Sequence, residues 1–196
     1  MRARKQGEPT AIERARRAQI VRAAIDTIAE SGYTRASFSA IATAAGLSST
    51  GLISYHFATK QNLMAEVLAT ILADFTEFVT ARATQGTPAT RLAAFLAANC
   101  DFIASHRNHL IAMLDLQHAA SESQARQADS DRAKLTELLA DGQRRGEFRP
   151  FTPDLMAGFI LSLRNGVIRR AATDPEFDLA ACTAELLTTV RLATTA

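Results

Sequence analysis

Apolar residues recur at a helical 3.6-residue spacing along most of the chain, alanine is abundant and β-branched runs are absent, which favours helix over sheet. The pattern predicts an all-α protein of about nine helices. Thr10 and Glu13 form a capping box, each side chain placed to bond the other's backbone amide, and open a first helix. Its inward stripe is Val21, Ala24, Ile25, Ile28 and Ala29, and Gly32 stops it. Two short helices around a glycine turn follow at residues 37–57. In the first, Ser37 is the expected N-cap, and Phe38, Ile41, Ala42 and Ala45 share one apolar face. Gly46 stands where a left-handed backbone usually ends a helix, and Leu47 returns to the core. Ser48 and Ser49 are alternative caps for the second helix, residues 50–57, where Ile53 and Phe57 face inward.

Beyond Phe57, Thr59 caps a long helix with Lys60 in its first turn. Leu63, Met64, Val67, Leu68, Ile71, Leu72, Phe75, Phe78 and Val79 fill nearly two of its faces, so it is expected to pack on more than one partner. Thr87 and Pro88 begin the next helix, with Leu92, Phe95, Leu96, Asn99, Phe102 and Ile103 inward. A shorter apolar segment covers residues 110–118, and a Ser121/Gln124 capping box opens a more polar helix ending near Gly146. Thr152 and Pro153 start a helix carrying Leu155, Met156, Phe159, Ile160, Leu163, Val167 and Ile168. After the Asp174–Pro175 break, the last helix carries Leu179, Cys182, Leu186, Leu187 and Val190. The expected organisation is a flexible basic arm (1–9), a three-helix unit holding the short pair (10–58) and a larger helical domain (59–196).

The short pair has the shape of a helix-turn-helix. The outer side of its second helix shows Thr50, Gly51, Ser54 and Tyr55. A purely solvated helix would more often carry Glu and Lys, whereas small and hydroxylated residues suit a helix pressed into a groove. On pattern alone an ordinary core hairpin remains the alternative. Residues 10–72 as a whole resemble the DNA-binding domain of the TetR family of bacterial transcriptional regulators. The resemblance rests on RRAQIVRAAIDTIAESGYTRASF, IATAAGLS and TGLISYHFATKQNLMAEVL, in order and spacing, and covers about a third of the chain. Between Gly46 and Phe57 this chain has one residue more than the family's usual spacing, Ser48 or Ser49, which leaves the start of the second helix open by one position.

The resemblance implies double-stranded operator DNA as a partner. Thr50, Gly51, Leu52 and Tyr55 are the expected groove contacts, with Ser48, Ser49 and Ser54 beside them. Ser37, Ser39, His56 and Lys60 are the expected phosphate contacts, and Lys60 stands where the family's backbone-contacting lysine stands.

Charge sharpens this picture. The net charge of the 196 residues is only +2, but residues 1–60 hold 9 Lys/Arg against 4 Asp/Glu, and residues 61–196 hold 13 against 16. Positive charge is concentrated where phosphates would be met, although a solvated basic tail would give part of the same asymmetry. No apolar run reaches the ~18 residues of a membrane span, and the basic N-terminus lacks the apolar core of a secretory signal. A cytoplasmic protein without membrane contact is expected. Cys100 and Cys182 lie in apolar helical patterns and make no disulfide framework.

No catalytic constellation, phosphate loop or dinucleotide fingerprint occurs, so neither an enzyme nor a cofactor is expected. His106, His109 and His118 lack the companions of a metal site and read as structural. Polar residues do interrupt the apolar faces of the middle helices. Phe75, Phe78, Phe95, Asn99, Phe102, Met113, Gln117, Phe159, Leu163 and Arg164 would suit an apolar cavity with a few orienting groups. Taken singly, each more commonly serves core or dimer packing, but the resemblance implies a small-molecule effector there. The last two helices are apolar over wide arcs, and Leu155, Ile160, Val167, Ile168, Leu179, Leu186, Leu187 and Val190 are expected at a homodimer interface. The expected function is a ligand-responsive, homodimeric repressor on a palindromic operator. The alternative is a helical small-molecule-binding or interaction protein without DNA contact.

Overall fold

The computed structural model describes residues 10–83, 85–117 and 122–195, with backbone alone at 117 and 122–129. The basic arm, His118, the Ser121/Gln124 box and the side chain of Gln117 lie outside what is described. Among the described residues the chain forms nine helices and no strand, the all-α fold expected.

Local chemistry sets the first boundaries. Helix α1 (Ala11–Ser31) starts at the capping box, where Thr10 N donates to Glu13 Oε2 at 2.8 Å and Glu13 N donates to Thr10 Oγ1 at 3.2 Å. Helix α2 (Phe38–Ala44) is capped by Ser37, whose Oγ accepts from Ala40 N at 3.2 Å. It ends with Gly46 at φ 64°, Gly46 N–H bonded to Thr43 O at 3.1 Å and Leu47 N–H to Ala42 O at 2.8 Å. That double closure is a Schellman motif, and it requires a residue free of the Cβ penalty at the left-handed position. Helix α3 (Gly51–His56) starts one position later than the serines allow. Neither Ser48 nor Ser49 caps it: Thr50 occupies the cap position in a helical conformation and makes no side-chain cap bond. The added residue is therefore taken up in the turn at 47–50. Helix α4 (Lys60–Ala83) follows Thr59, whose Oγ1 accepts from Asn62 N at 3.1 Å.

The remaining helices are α5 (Pro88–Ser105), α6 (Arg107–Gln117), α7 (Glu122–Arg144), α8 (Pro153–Thr173) and α9 (Leu179–Thr194). Thr152 makes no side-chain cap bond, so Pro153 in the first turn starts α8 without it. Asp178, which the pattern did not single out, caps α9 by accepting from Ala181 N at 2.9 Å.

The chain divides into two compact units, Met1–Thr70 and Ile71–Ala196, with the boundary inside α4. In the first, Ile20, Ile25, Ile28, Ile41, Ile53, Phe57 and Leu63 are buried. Burial of apolar surface of this kind contributes on the order of 25 cal/mol per Å2. In the second, α5 packs against α6, α7, α8 and α9. Its main core joins Leu92 and Leu96 of α5, Leu135 and Leu139 of α7, Ile160 of α8 and Leu186 of α9.

This core corrects the expected interface. Ile160 is 1% exposed, and Val167, Leu186 and Val190 are likewise buried in the subunit's own core. Their side chains are spent on contacts within the chain. Ile168, Leu179 and Leu187 are half-buried against the same core or its neighbour. Of the expected interface residues only Leu155 is exposed. The outward stripe of α8 is Leu155, Phe159 and Leu163, at i, i+4 and i+8, joined among exposed apolar residues by Leu192 of α9.

Candidate nucleic-acid interface and ligand cavity

The exposed side of α3 is made by register. Ile53 and Phe57, one turn apart, are buried, and this turns Leu52 (41% exposed) and Tyr55 (71% exposed) outward. Thr50, Gly51 and Ser54 are exposed beside them, and Ser48 and Ser49 are exposed in the preceding turn. Ser37 and Ser39, at the start of α2, are also exposed. The groups expected at a groove thus share the outer surface of one unit.

Two polar side chains of α1 hold this surface in place. Arg17 Nη1 donates to the carbonyl of His56, at the C-terminal end of α3, at 2.9 Å. Its guanidinium lies 4.3 Å from the Phe57 ring centroid, and Nη2 pairs with Glu66 of α4 at 3.0 Å. Gln19 Nε2 donates to the carbonyl of Ala45, at the end of α2, at 2.7 Å, and its Oε1 accepts from Arg16 Nη1 at 2.7 Å. Carbonyls at helix C-termini lack intrahelical partners and carry the negative end of the dipole. One helix therefore satisfies the open ends of both its neighbours. Neither Arg17 nor Gln19 was singled out in the sequence.

The expected phosphate contacts are less uniform. His56 is half-buried, and Lys60 Nζ donates to the Tyr33 carbonyl at 2.6 Å while lying 4.3 Å from the Tyr33 ring centroid. The Tyr55 hydroxyl donates to Glu13 Oε1 at 3.5 Å. Desolvation, followed by the nearby positive charge of Arg17, holds the His56 imidazole below its ordinary value of 6.5. In the free protein His56 is thus a neutral hydrogen-bonding group near neutral pH, not a fixed cation.

The second unit contains a half-open cavity of about 540 Å3 between α4, α5 and α7. Phe75, Val79, Phe95, Leu135 and Leu138 supply apolar wall, and Arg91 and Asp131 are among its polar residues. Of the expected ligand residues whose side chains are described, only Phe75 and Phe95 line it. Phe78, Phe102 and His106 form an aromatic cluster instead, with Phe102 stacked on His106 at 4.3 Å and set edge-on to Phe75 and Phe78. Asn99 is buried and donates Nδ2 to Phe95 O at 2.7 Å. Met113 packs on a satellite core, and Arg164 pairs with Asp131 at 3.5 Å. Phe159, 64% exposed, and Leu163, also exposed, do not line this cavity. On α8 Phe159 and Leu163, expected at the cavity, are exposed, and Ile160 and Val167, expected at the interface, are in the core, because period alone does not say which neighbour a face meets.

His109 Nε2 lies 3.5 Å from Asp74 Oδ2, and among the described residues no three His, Cys, Asp or Glu side chains converge as a metal site would need. No described helix is long and apolar enough to cross a membrane.

Two family models match the chain in sequence. Residues 20–67 match the bacterial regulatory proteins of the tetR family, and residues 85–169 match a tetracyclin repressor-like C-terminal domain. The chain belongs to the TetR family of bacterial transcriptional regulators, and its first unit is that family's helix-turn-helix. It is 36% identical over 88 residues to the HTH-type transcriptional regulator BetI of Paraburkholderia phymatum, a match spanning 44% of each chain. In fold it resembles the fatty acid degradation regulator FadR of Bacillus halodurans, with a TM-score of 0.77 at 22% identity, covering 95% of this chain and 96% of that one. It also resembles SmeT, repressor of the Stenotrophomonas maltophilia multidrug efflux pump SmeDEF, with a TM-score of 0.76 at 20% identity, covering 92% and 90%.

Two outcomes follow from this geometry. Arg17→Ala leaves the α3 carbonyl end unpaired, and urea unfolding should show a loss of about 1–2 kcal/mol, in the range for a hydrogen bond to a charged donor at a half-exposed site. The folded value of His56 lies below the unfolded one, so the unfolded chain takes up a proton first as pH falls. The penalty is absent well above pH 6.5, grows as pH falls through 6.5, and is complete below the folded value. Between about pH 7.5 and about pH 5.5 the urea midpoint of His56→Gln should therefore fall less than that of the parent protein.

Proposed function

We propose that this chain is a ligand-responsive repressor that binds a palindromic operator as a homodimer. The observation that carries DNA reading is the outward presentation of Leu52 and Tyr55 on α3, held by buried Ile53 and Phe57 in a unit the family model covers. Thr50, Gly51, Leu52 and Tyr55 enter the major groove, and Ser37, Ser39, His56 and Lys60 face phosphates. Small residues at the start of α3 let its backbone approach the duplex closely.

Homodimerisation is supported by the stripe of Leu155, Phe159 and Leu163, which leaves large apolar side chains in water on an isolated chain. A two-fold pair would set two reading helices against successive turns of a palindrome. Response to a ligand is supported by the cavity on the second half of α4. That helix is continuous with the turn carrying Lys60, so a ligand favouring one position of α4 over another changes DNA affinity through it.

The rival reading is a ligand-binding or interaction protein without DNA contact. It draws on the engagement of Lys60 by the Tyr33 carbonyl. Fluorescence anisotropy against the DNA upstream of the chain's own gene separates the two, and a flat titration at low salt would favour the rival. On the DNA reading, Tyr55→Ala weakens binding to all sequences, and Lys60→Ala lowers the slope of log affinity against log salt by about one. An unchanged slope would remove Lys60 from the phosphate contacts. Sedimentation should find a dimer for the parent protein and a folded monomer for Phe159→Glu. A Phe159→Glu variant that still sediments as a dimer would place the interface elsewhere.

A further inference from the structure

We propose that the ligand of the α4–α5–α7 cavity is an amphipathic organic anion whose acid group pairs with Arg91. This rests on the effector-site reading of that cavity given above and adds the chemical class of the occupant. Three carboxylates border the space, and two of them are already neutralised. Asp131 pairs with Arg164 at 3.5 Å, and Asp141 pairs with Arg144 at 3.1 Å and with Arg145 at 2.9 Å. Lys134 and Glu137, of opposite sign, are exposed on α7 and can stay hydrated.

Arg91 differs from all of these. It is half-buried in the wall, its Nε is sealed from solvent without a hydrogen-bond partner, and its side chain has no ion pair among the described residues. An arginine on a cavity wall without a counter-ion among the described residues is best matched by a planar anion, which meets its accessible N–H donors and its charge together. A neutral acceptor would meet the hydrogen bond but not the charge. A cationic ligand would face Arg91 with, among the described lining residues, only exposed Glu137 uncommitted. Beside the hydroxyls of Thr76 and Thr80, the rest of the described wall (Phe75, Val79, Ala83, Phe95, Leu135 and Leu138) offers apolar contact, so the body of the ligand is mainly hydrocarbon or aromatic. The volume of about 540 Å3 suits a small organic molecule.

Isothermal titration of the full chain with decanoate, decan-1-ol and decylamine tests this without DNA. Decanoate should bind at least about tenfold more tightly than either of the others. Arg91→Gln should abolish that preference by weakening decanoate far more than decan-1-ol, while Arg91→Lys retains part of it. Thr80→Trp, which fills the cavity from an exposed position on α4, should abolish decanoate binding with the helical circular dichroism intact. Equal binding of the three probes, tighter binding of decylamine, or a decanoate preference surviving Arg91→Gln would overturn the anion assignment and leave the effector-site reading standing. Binding of none of the probes to the folded chain, or decanoate binding that persists in Thr80→Trp, would overturn both.

Discussion

The helix-turn-helix depends on how the open carbonyl ends of two very short helices are satisfied. Neither α2 nor α3 is long enough to hold itself together in water, since isolated helices below ~12–15 residues are marginal even in favourable sequences. Both are fixed from outside: Gln19 reaches the last carbonyl region of α2 and Arg17 that of α3, at 2.7 and 2.9 Å. The apolar contacts of Ile20, Ile41, Ile53 and Phe57 supply the free energy of assembly, but they are non-directional. The two α1 side chains supply direction, fixing the azimuth at which Leu52 and Tyr55 leave the surface.

What the sequence showed and what it hid divide along a physical line. Local devices were legible: the Thr10/Glu13 box, the Ser37 cap, the left-handed Gly46 and the Thr59 cap each use atoms three to five residues apart. Arg17 and Gln19 act across 39 and 26 residues on backbone carbonyls, which carry no side-chain signature, and so left no pattern to read. The cap of α3 was not legible for a related reason. Serine is a good cap in general, but the added residue at 47–50 puts Thr50 at the boundary with no side-chain bond at all.

The second unit shows a different limit. Periodicity identified the apolar faces of α8 and α9 but not their partners. Ile160 and Phe159 are adjacent in sequence and equally apolar, yet one is sealed in the core beside Leu96 and Leu139 and the other stands in solvent. A wide apolar arc contains both an inward and an outward half, and only the packing of α5 against α7, α8 and α9 decides which is which. Arg91 was overlooked because a lone arginine near a helix start is ordinary; its missing partner becomes visible only when α4 and α7 are in place around it.

Arg17 also touches Glu66, so a single guanidinium spans the end of the reading helix and the first half of the long connecting one. Rolling α4 about its own axis would drag that carboxylate away and force the guanidinium to choose between its two partners. The guanidinium is thus a shared hinge pin inside the amino-terminal unit, and removing either partner leaves its charge half matched and one of the two helices without its tie.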